Sequence, residues 1–126
     1  MVKNMKKTYL CFDLGTTKIK SSLLDDSGNT IYLSSRAAKS YCDGESVIQK
    51  PEEYFDAVVS EIKKIAKKHF LHFKKADSLI CSGQMAGILG VDSNWEVVFP
   101  WPYSVDTSAN SYLSKIENNM DDKAIR

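Results

Sequence analysis

A chain of 126 residues is long enough for one domain with its own core and too short for two large ones. Seventeen basic residues (Lys+Arg 17) against 16 acidic ones leave a net charge of +1, which removes the electrostatic case for nucleic acid or an anionic membrane as a partner. A hydrophobic content of 43% with 26% charged residues belongs to an ordinary globular chain and excludes a disordered one.

The first seven residues are basic, but the apolar run behind them is shorter than the core of a signal peptide and leads directly into Asp13, so a cytoplasmic protein is expected. Cys11, Cys42 and Cys81 are odd in number and lack CxxC spacing, which predicts reduced thiols and no cysteine metal centre. Residues 9–12 are β-favouring and stop at Asp13-Leu14-Gly15-Thr16-Thr17. This reads as a strand feeding a tight turn. Gly15 supplies positive φ or close approach, Thr16 and Thr17 offer backbone and hydroxyl donors, and Asp13 is placed to hold a hydrated Mg²⁺ against phosphate oxygens. On these residues alone an ordinary hairpin is an equal reading. A second strand follows to Asp25, then the turn signal Asp26-Ser27-Gly28-Asn29, then a third strand from Thr30, giving an antiparallel meander.

Residues 34–46 are polar, contain Asp43-Gly44 and read as an exposed loop. Pro51 followed by Glu52 and Glu53 starts a helix that should run to about His69. Phe55, Val58, Val59, Ile62, Ile65 and Ala66 form its expected buried stripe, with Glu61, Lys63, Lys64, Lys67 and Lys68 facing water. His69 and His72 have no third ligand nearby and are expected at the surface. A β-prone run over residues 78–85 should lie parallel to the first strand after this crossover helix, which puts Gln84 and Met85 at a strand end where α/β sheets bind ligands. Residues 88–92 and 96–99 flank Ser93-Asn94-Trp95 as a structural hairpin. A last helical pattern carries Ala109, Leu113, Ile116 and Met120 on one side, with Thr107 or Ser108 as its cap.

Asp13-Leu14-Gly15-Thr16-Thr17 followed by Leu23-Leu24-Asp25 and Gly28 resembles the first phosphate motif of the actin, Hsp70 and sugar-kinase superfamily, whose fold is ribonuclease-H-like. Ser82-Gly83-Gln84-Met85-Ala86-Gly87, with Val105-Asp106 some twenty residues on and with Gln49, Pro51, Glu52, the Asp92-Ser93-Asn94 turn and Pro100 in order, is similar to the FGGY carbohydrate kinases, especially their xylulokinase-like ketose branch. The resemblance implies an α/β lobe with a mixed sheet: an antiparallel meander, a crossover helix and further strands. It implies that residues 1–126 are the N-terminal part of the first, sugar-binding domain. The rest of that domain, the second, nucleotide-binding domain and the general-base aspartate then lie beyond residue 126, and the fragment is inactive alone.

By the same resemblance Asp13 is the metal-binding carboxylate; Gly15, Thr16, Thr17 and Lys20 bind nucleotide phosphate; and Gln84, Met85 and Asp106 bind sugar in a cleft shared with Asp13. Structural roles stand beside each of these: Gln84 as a strand cap, Met85 as core, Lys20 in solvent, Asp106 as a helix cap. The implied cofactors are ATP and Mg²⁺. The implied partners are a sugar and the remainder of the same polypeptide, with a homodimer allowed and neither nucleic acid nor membrane involved. Ala86 stands where xylulokinases usually carry histidine, and Ser108 where an arginine usually follows the aspartate, which points to an altered sugar. Two alternatives remain: a non-catalytic ATP-dependent switch of the actin or Hsp70 kind, and a freestanding ligand-binding lobe ending near Arg126.

Overall fold

The computed structural model describes residues 7–44, 46–99 and 101–119. The basic residues 1–6, Pro100, Met120 and the closing stretch 121–126 lie outside the described residues. The chain divides into two compact units, Met1–Lys39 with Lys50–Met85, and Ser40–Gln49 with Ala86–Arg126.

The first unit is a mixed sheet with one helix row packed on it. β1 (Thr8–Leu14), β2 (Lys18–Asp25) and β3 (Thr30–Ala37) pair antiparallel in sequence order, and β6 (Ala76–Gly83) adds parallel to β1, giving the order β3-β2-β1-β6. The meander and the parallel return after a crossover helix are as expected. Alternation selects the core: Leu10 and Phe12 of β1, with Ile19 and Leu23 of β2, are buried while their neighbours face the other way. The turn from β2 to β3 is closed by Asp25, whose carboxylate accepts from Ser27 N (2.9 Å), Asn29 N (2.8 Å) and Asn29 Nδ2 (2.9 Å), with Gly28 at φ +82°.

α1 (Pro51–Lys68) starts with proline in its first turn, Glu52 and Glu53 at its positive end and Lys67 and Lys68 at its negative end. α2 (Phe70–Phe73) is a single further turn, with the His69 ring stacked at a tilt on Tyr32 and the His72 carbonyl accepting from Thr8 Oγ1 at 2.7 Å. The fully buried row of α1 is Tyr54, Ala57, Glu61 and Ile65; of the expected stripe Ile65 is in the core and Val58 and Ile62 pack against it, while Phe55 turns outward and Glu61 inward. Phe55 is 70% exposed and Glu61 only 3%. The reason lies across the interface: Glu61 Oε2 accepts from Tyr32 OH at 2.8 Å and Ser21 Oγ at 3.3 Å, and Oε1 takes Lys64 Nζ at 2.6 Å. A hydroxyl-lined sheet selects a carboxylate over an aromatic ring. Leu10, Phe12, Leu23 and Ile65 form the core, with Leu14, Ile31, Tyr32, Val58, Ile62 and Phe73 against it.

β6 forms one end of this sheet, and all eight of its residues are exposed, Leu79 and Ile80 to 51% and 52%. The three cysteines are free thiols, Cys11 half-buried and Cys42 and Cys81 exposed. No helix among the described residues is long and apolar enough to cross a membrane.

The expected loop over 34–46 is largely replaced by strands, at the end of the first unit and the start of the second. β3 continues to Ala37, and β4 (Tyr41–Asp43) pairs antiparallel with β5 (Ser46–Gln49) around Gly44 at φ +61°. Polarity misled here because strands this short need only a residue or two such as Val47 and Ile48 to pack, within an otherwise polar stretch. β9 (Trp101–Pro102) adds to β5. The hairpin β7 (Gly90–Val91) and β8 (Val97–Phe99) is as expected. Asp92 Oδ1 accepts from Asn94 N and Glu96 N at 2.8 and 2.9 Å, with Trp95 at φ +66°. The last helix is α3 (Asn110–Glu117), whose Leu113 and Ile116 are about half exposed.

Candidate functional site

Because β1 and β6 run parallel, their C-terminal ends coincide. Leu14 stands beside Gly83, and Gln84 N donates to Leu14 O at 3.2 Å. Asp13, one residue earlier, is opposite Lys20 on β2 and Ser82 on β6. Alternation turns Asp13 to the sheet face away from the core, together with Cys11, Lys20, Ser82 and Ile80, around a shallow concavity of about 330 Å³. Lys20 Nζ lies 3.0 Å from Asp13 Oδ2, with the two side chains 54% and 47% exposed. Such a half-solvated cross-strand pair adds little stability and leaves the carboxylate approachable.

The turn after Asp13 is held from three sides. Gly15 N donates to Lys18 O at 3.1 Å and closes it. Tyr54 OH of α1 donates to Gly15 O at 3.1 Å, and Ala38 N donates to Thr17 O at 2.9 Å. Glycine is required by close approach rather than by dihedral angle, since a Cβ at position 15 would stand 2.9 Å from Lys18 O and 3.9 Å from Asp13 Oδ1. The loop therefore presents its backbone at short range beside the carboxylate. Thr16 is half-buried and Thr17 exposed.

Of the sugar-site residues expected from sequence, Gln84 is half-buried at the strand end beside this turn, and Met85 is 84% exposed rather than core. Asp106 belongs to the second unit. There Oδ1 accepts from Val47 N at 2.8 Å and Oδ2 from Ser108 Oγ at 2.6 Å, while Asp106 N donates to Tyr103 O at 2.8 Å. The Ser108 hydroxyl first, then the Val47 amide, hold the Asp106 carboxyl below the usual aspartate range. In the same unit the Tyr103 hydroxyl and Ser40 Oγ are 2.7 Å apart, and Gln49 Nε2 donates to Ser40 Oγ at 3.4 Å. The structure thus brings Asp13, Gly15, Thr16, Thr17, Lys20 and Gln84 to one end of the first unit.

Sequence reasoning missed Tyr54, and it named Ser82 and Ser108 without their contacts to Asp13's strand and to Asp106. For Tyr54 a signal existed: it shares one helical row with Ala57, Glu61 and Ile65. For Ser108 a local signal existed too, a hydroxyl two residues from the Asp106 carboxylate, whereas the place of Ser82 beside Asp13 is fixed only by strand pairing.

The donor set fits a hard cation. One approachable carboxylate with neighbouring hydroxyls suits Mg²⁺, which keeps most of its waters and binds to protein through one or two carboxylates. Among the described residues no cluster of three or more His, Cys, Asp or Glu is arranged as an all-protein metal cage.

Residues 8–126 match the model described as the FGGY family of carbohydrate kinases, N-terminal domain. A Staphylococcus epidermidis protein named xylulose kinase is 34% identical over 91 residues, covering 71% of this chain and 18% of that protein. The gluconokinase of Bacillus subtilis is 26% identical over 117 residues, covering 92% of this chain and 22% of its own length. The chain thus spans about a fifth of the curated relatives it matches. Among solved structures, a xylulose kinase from Rhodospirillum rubrum superposes with a TM-score of 0.82 at 13% identity, covering 94% of this chain and 24% of that one. A gluconate kinase from Lactobacillus acidophilus gives 0.76 at 24% identity, covering 90% and 23%. These likenesses show the ribonuclease-H-like sugar-kinase fold.

Proposed function

Since the chain belongs to the FGGY family of carbohydrate kinases, we propose that the complete polypeptide transfers the γ-phosphoryl group of ATP to a hydroxyl of a sugar, a ketose such as a pentulose. The observation that carries this reading is the gathering of Asp13, Lys20, the 15–17 turn and Gln84 at one sheet end. The ketose is supported by the xylulose kinase relative, whose identity exceeds that of the gluconokinase.

Mg-ATP, when bound, supplies the phosphoryl group and neutralises the charge that spreads over its oxygens in the transition state. The remaining contribution is alignment, and it falls to side chains already ordered. Asp13 would hold the hydrated cation. Lys20, released from its half-solvated pair, and the Thr16 and Thr17 amides would hold phosphate oxygens, while Gly15, its own N–H spent on Lys18 O, lets the backbone approach them and Tyr54 braces the turn. Within the first unit Gln84 and Met85 are the groups we propose for the acceptor, and within the second it is Asp106, whose ionised carboxylate has lone pairs that suit sugar hydroxyls. Because the chain spans about a fifth of the relatives it matches, the activity is proposed for the complete polypeptide.

The test is Asp13→Ala in that polypeptide. Turnover should fall by at least about 10²-fold, the cost of losing an electrostatic contact made to the transferred group, while sugar affinity stays within twofold. Unchanged turnover removes Asp13 from the scheme. Titration with pentuloses, heptuloses, polyols and gluconate identifies the acceptor, and binding of none of them would return the ATP-driven switch as the better reading.

A further inference from the structure

The carboxylate of Asp106 is surrounded by neutral donors, with one oxygen assigned to each of two elements. Oδ1 takes the backbone N–H of Val47 on β5 at 2.8 Å, and Oδ2 takes the hydroxyl of Ser108 at 2.6 Å. The backbone of Asp106 is pinned as well, through its N–H to Tyr103 O at 2.8 Å, and Tyr103 is buried with its hydroxyl 2.7 Å from Ser40 Oγ. Two bonds at opposite oxygens remove the rotation of the carboxylate plane about the Cβ–Cγ bond, which a single bond does not.

We propose that Ser108 is a positioning residue for the acceptor sugar: with Val47 N–H it locks the Asp106 carboxylate in one plane, so that its outward lone pairs meet hydroxyls of a neutral polyol. This rests on the sugar-kinase reading of Asp106. A hydroxyl suits the task because it orients the anion without cancelling its charge, leaving Asp106 a full-strength acceptor for O–H donors. A charged donor at the same distance compensates the carboxylate and competes for both oxygens. The Ser108 bond is also the largest influence keeping this carboxyl ionised, ahead of the Val47 amide. Ser108 acts through Asp106.

The experiment compares Ser108→Ala and Ser108→Thr with the parent in the complete polypeptide. It measures KM and kcat for the acceptor identified by titration, melting temperature, and the ¹³Cγ titration of Asp106 assigned by difference against Asp106→Asn. Ser108→Ala should raise KM about tenfold, the size of one hydrogen bond to a charged group, with kcat within twofold. The Asp106 midpoint should move up toward the ordinary aspartate value, and Ser108→Thr, which restores a hydroxyl, should recover both. An unmoved KM or an unmoved midpoint in Ser108→Ala overturns the proposal while leaving the kinase reading intact. So does a loss of melting temperature and kcat together that threonine does not recover, since that marks a purely structural serine. If the parent phosphorylates no sugar of the panel, the kinase reading fails first and takes this inference with it.

Discussion

Removing the Glu61 carboxylate should destabilise the first unit far more than removing only its charge. Glu61 accepts from two hydroxyls through Oε2, from Tyr32 at 2.8 Å and from Ser21 at 3.3 Å, and from Lys64 through Oε1 at 2.6 Å. Ser21 is 3% exposed and has no route to water, whereas Tyr32 is half-buried and the Lys64 side chain is 53% exposed, so its ammonium can return to solvent. Glu61→Ala strips the acceptor from both hydroxyls at once. Each buried donor left unmade costs about 1–3 kcal/mol, with Tyr32 at the low end, giving roughly 2–4 kcal/mol in all. Glu61→Gln keeps a carbonyl oxygen for the hydroxyls and loses only the ion pair, and should cost about 1 kcal/mol or less. Urea unfolding followed by far-ultraviolet circular dichroism measures both, the alanine variant falling by roughly 1–2 M in midpoint for an m-value of about 2 kcal/mol/M.

The pH dependence of the same pair of variants has a definite sign. Burial pushes the Glu61 carboxyl up, but the Lys64 ammonium and the Tyr32 and Ser21 hydroxyls outweigh it and leave the carboxyl below the ordinary glutamate value. A carboxyl depressed in the folded state adds stability that is complete above its unfolded pKa of about 4.3 and is lost as pH falls through the folded value. The gap between parent and Glu61→Gln should therefore be constant at neutral pH and close below about pH 4. Glutamine as damaging as alanine at pH 7 would refute the claim that satisfying hydroxyls, rather than charge, is what Glu61 does. So would an alanine variant within about 0.5 kcal/mol of the parent, the range of an ordinary surface change.

Two glycines give further outcomes. Gly15→Ala places a methyl 2.9 Å from the Lys18 carbonyl, which is backbone and cannot swing away, so the turn must open at a cost of about 1–3 kcal/mol in the same urea assay. A fully stable Gly15→Ala would show that close approach does not explain this glycine. Gly87→Ala drives a methyl into the indole nitrogen edge of Trp101 and should displace the ring toward water. In a Trp95→Phe background, which removes the other and 84% exposed tryptophan, the emission should shift to the red; an unmoved spectrum counts against the packing described.

Local chemistry made most of the fold legible. The strand that stops at Asp13, the Asp25–Asn29 turn, the proline start of α1 and the Asp92 hairpin each depend on neighbours within a few residues, and each was found where periodicity and turn residues put it. Features that depend on a distant surface were not legible. Phe55 outranks Glu61 on any hydrophobic scale, and only the hydroxyls of Ser21 and Tyr32, far away in sequence, reverse the choice. The β4–β5 ribbon was hidden because its strands are only three and four residues long and sit among polar neighbours. For the candidate site, Asp13 and Gly15 were readable because turn chemistry is local, while the Tyr54 and Ser108 contacts that orient its groups cross 39 residues in one case and a turn in the other.

β6 carries a further consequence. A terminal strand with its hydrogen-bonding edge open and with leucine and isoleucine uncovered is a template on which another extended segment can grow. Handled as an isolated piece, this lobe should stick to itself through that rim before it unfolds, the Asp77–Lys7 pair at 2.7 Å being a charged feature at the strand's start that such pairing has to accommodate.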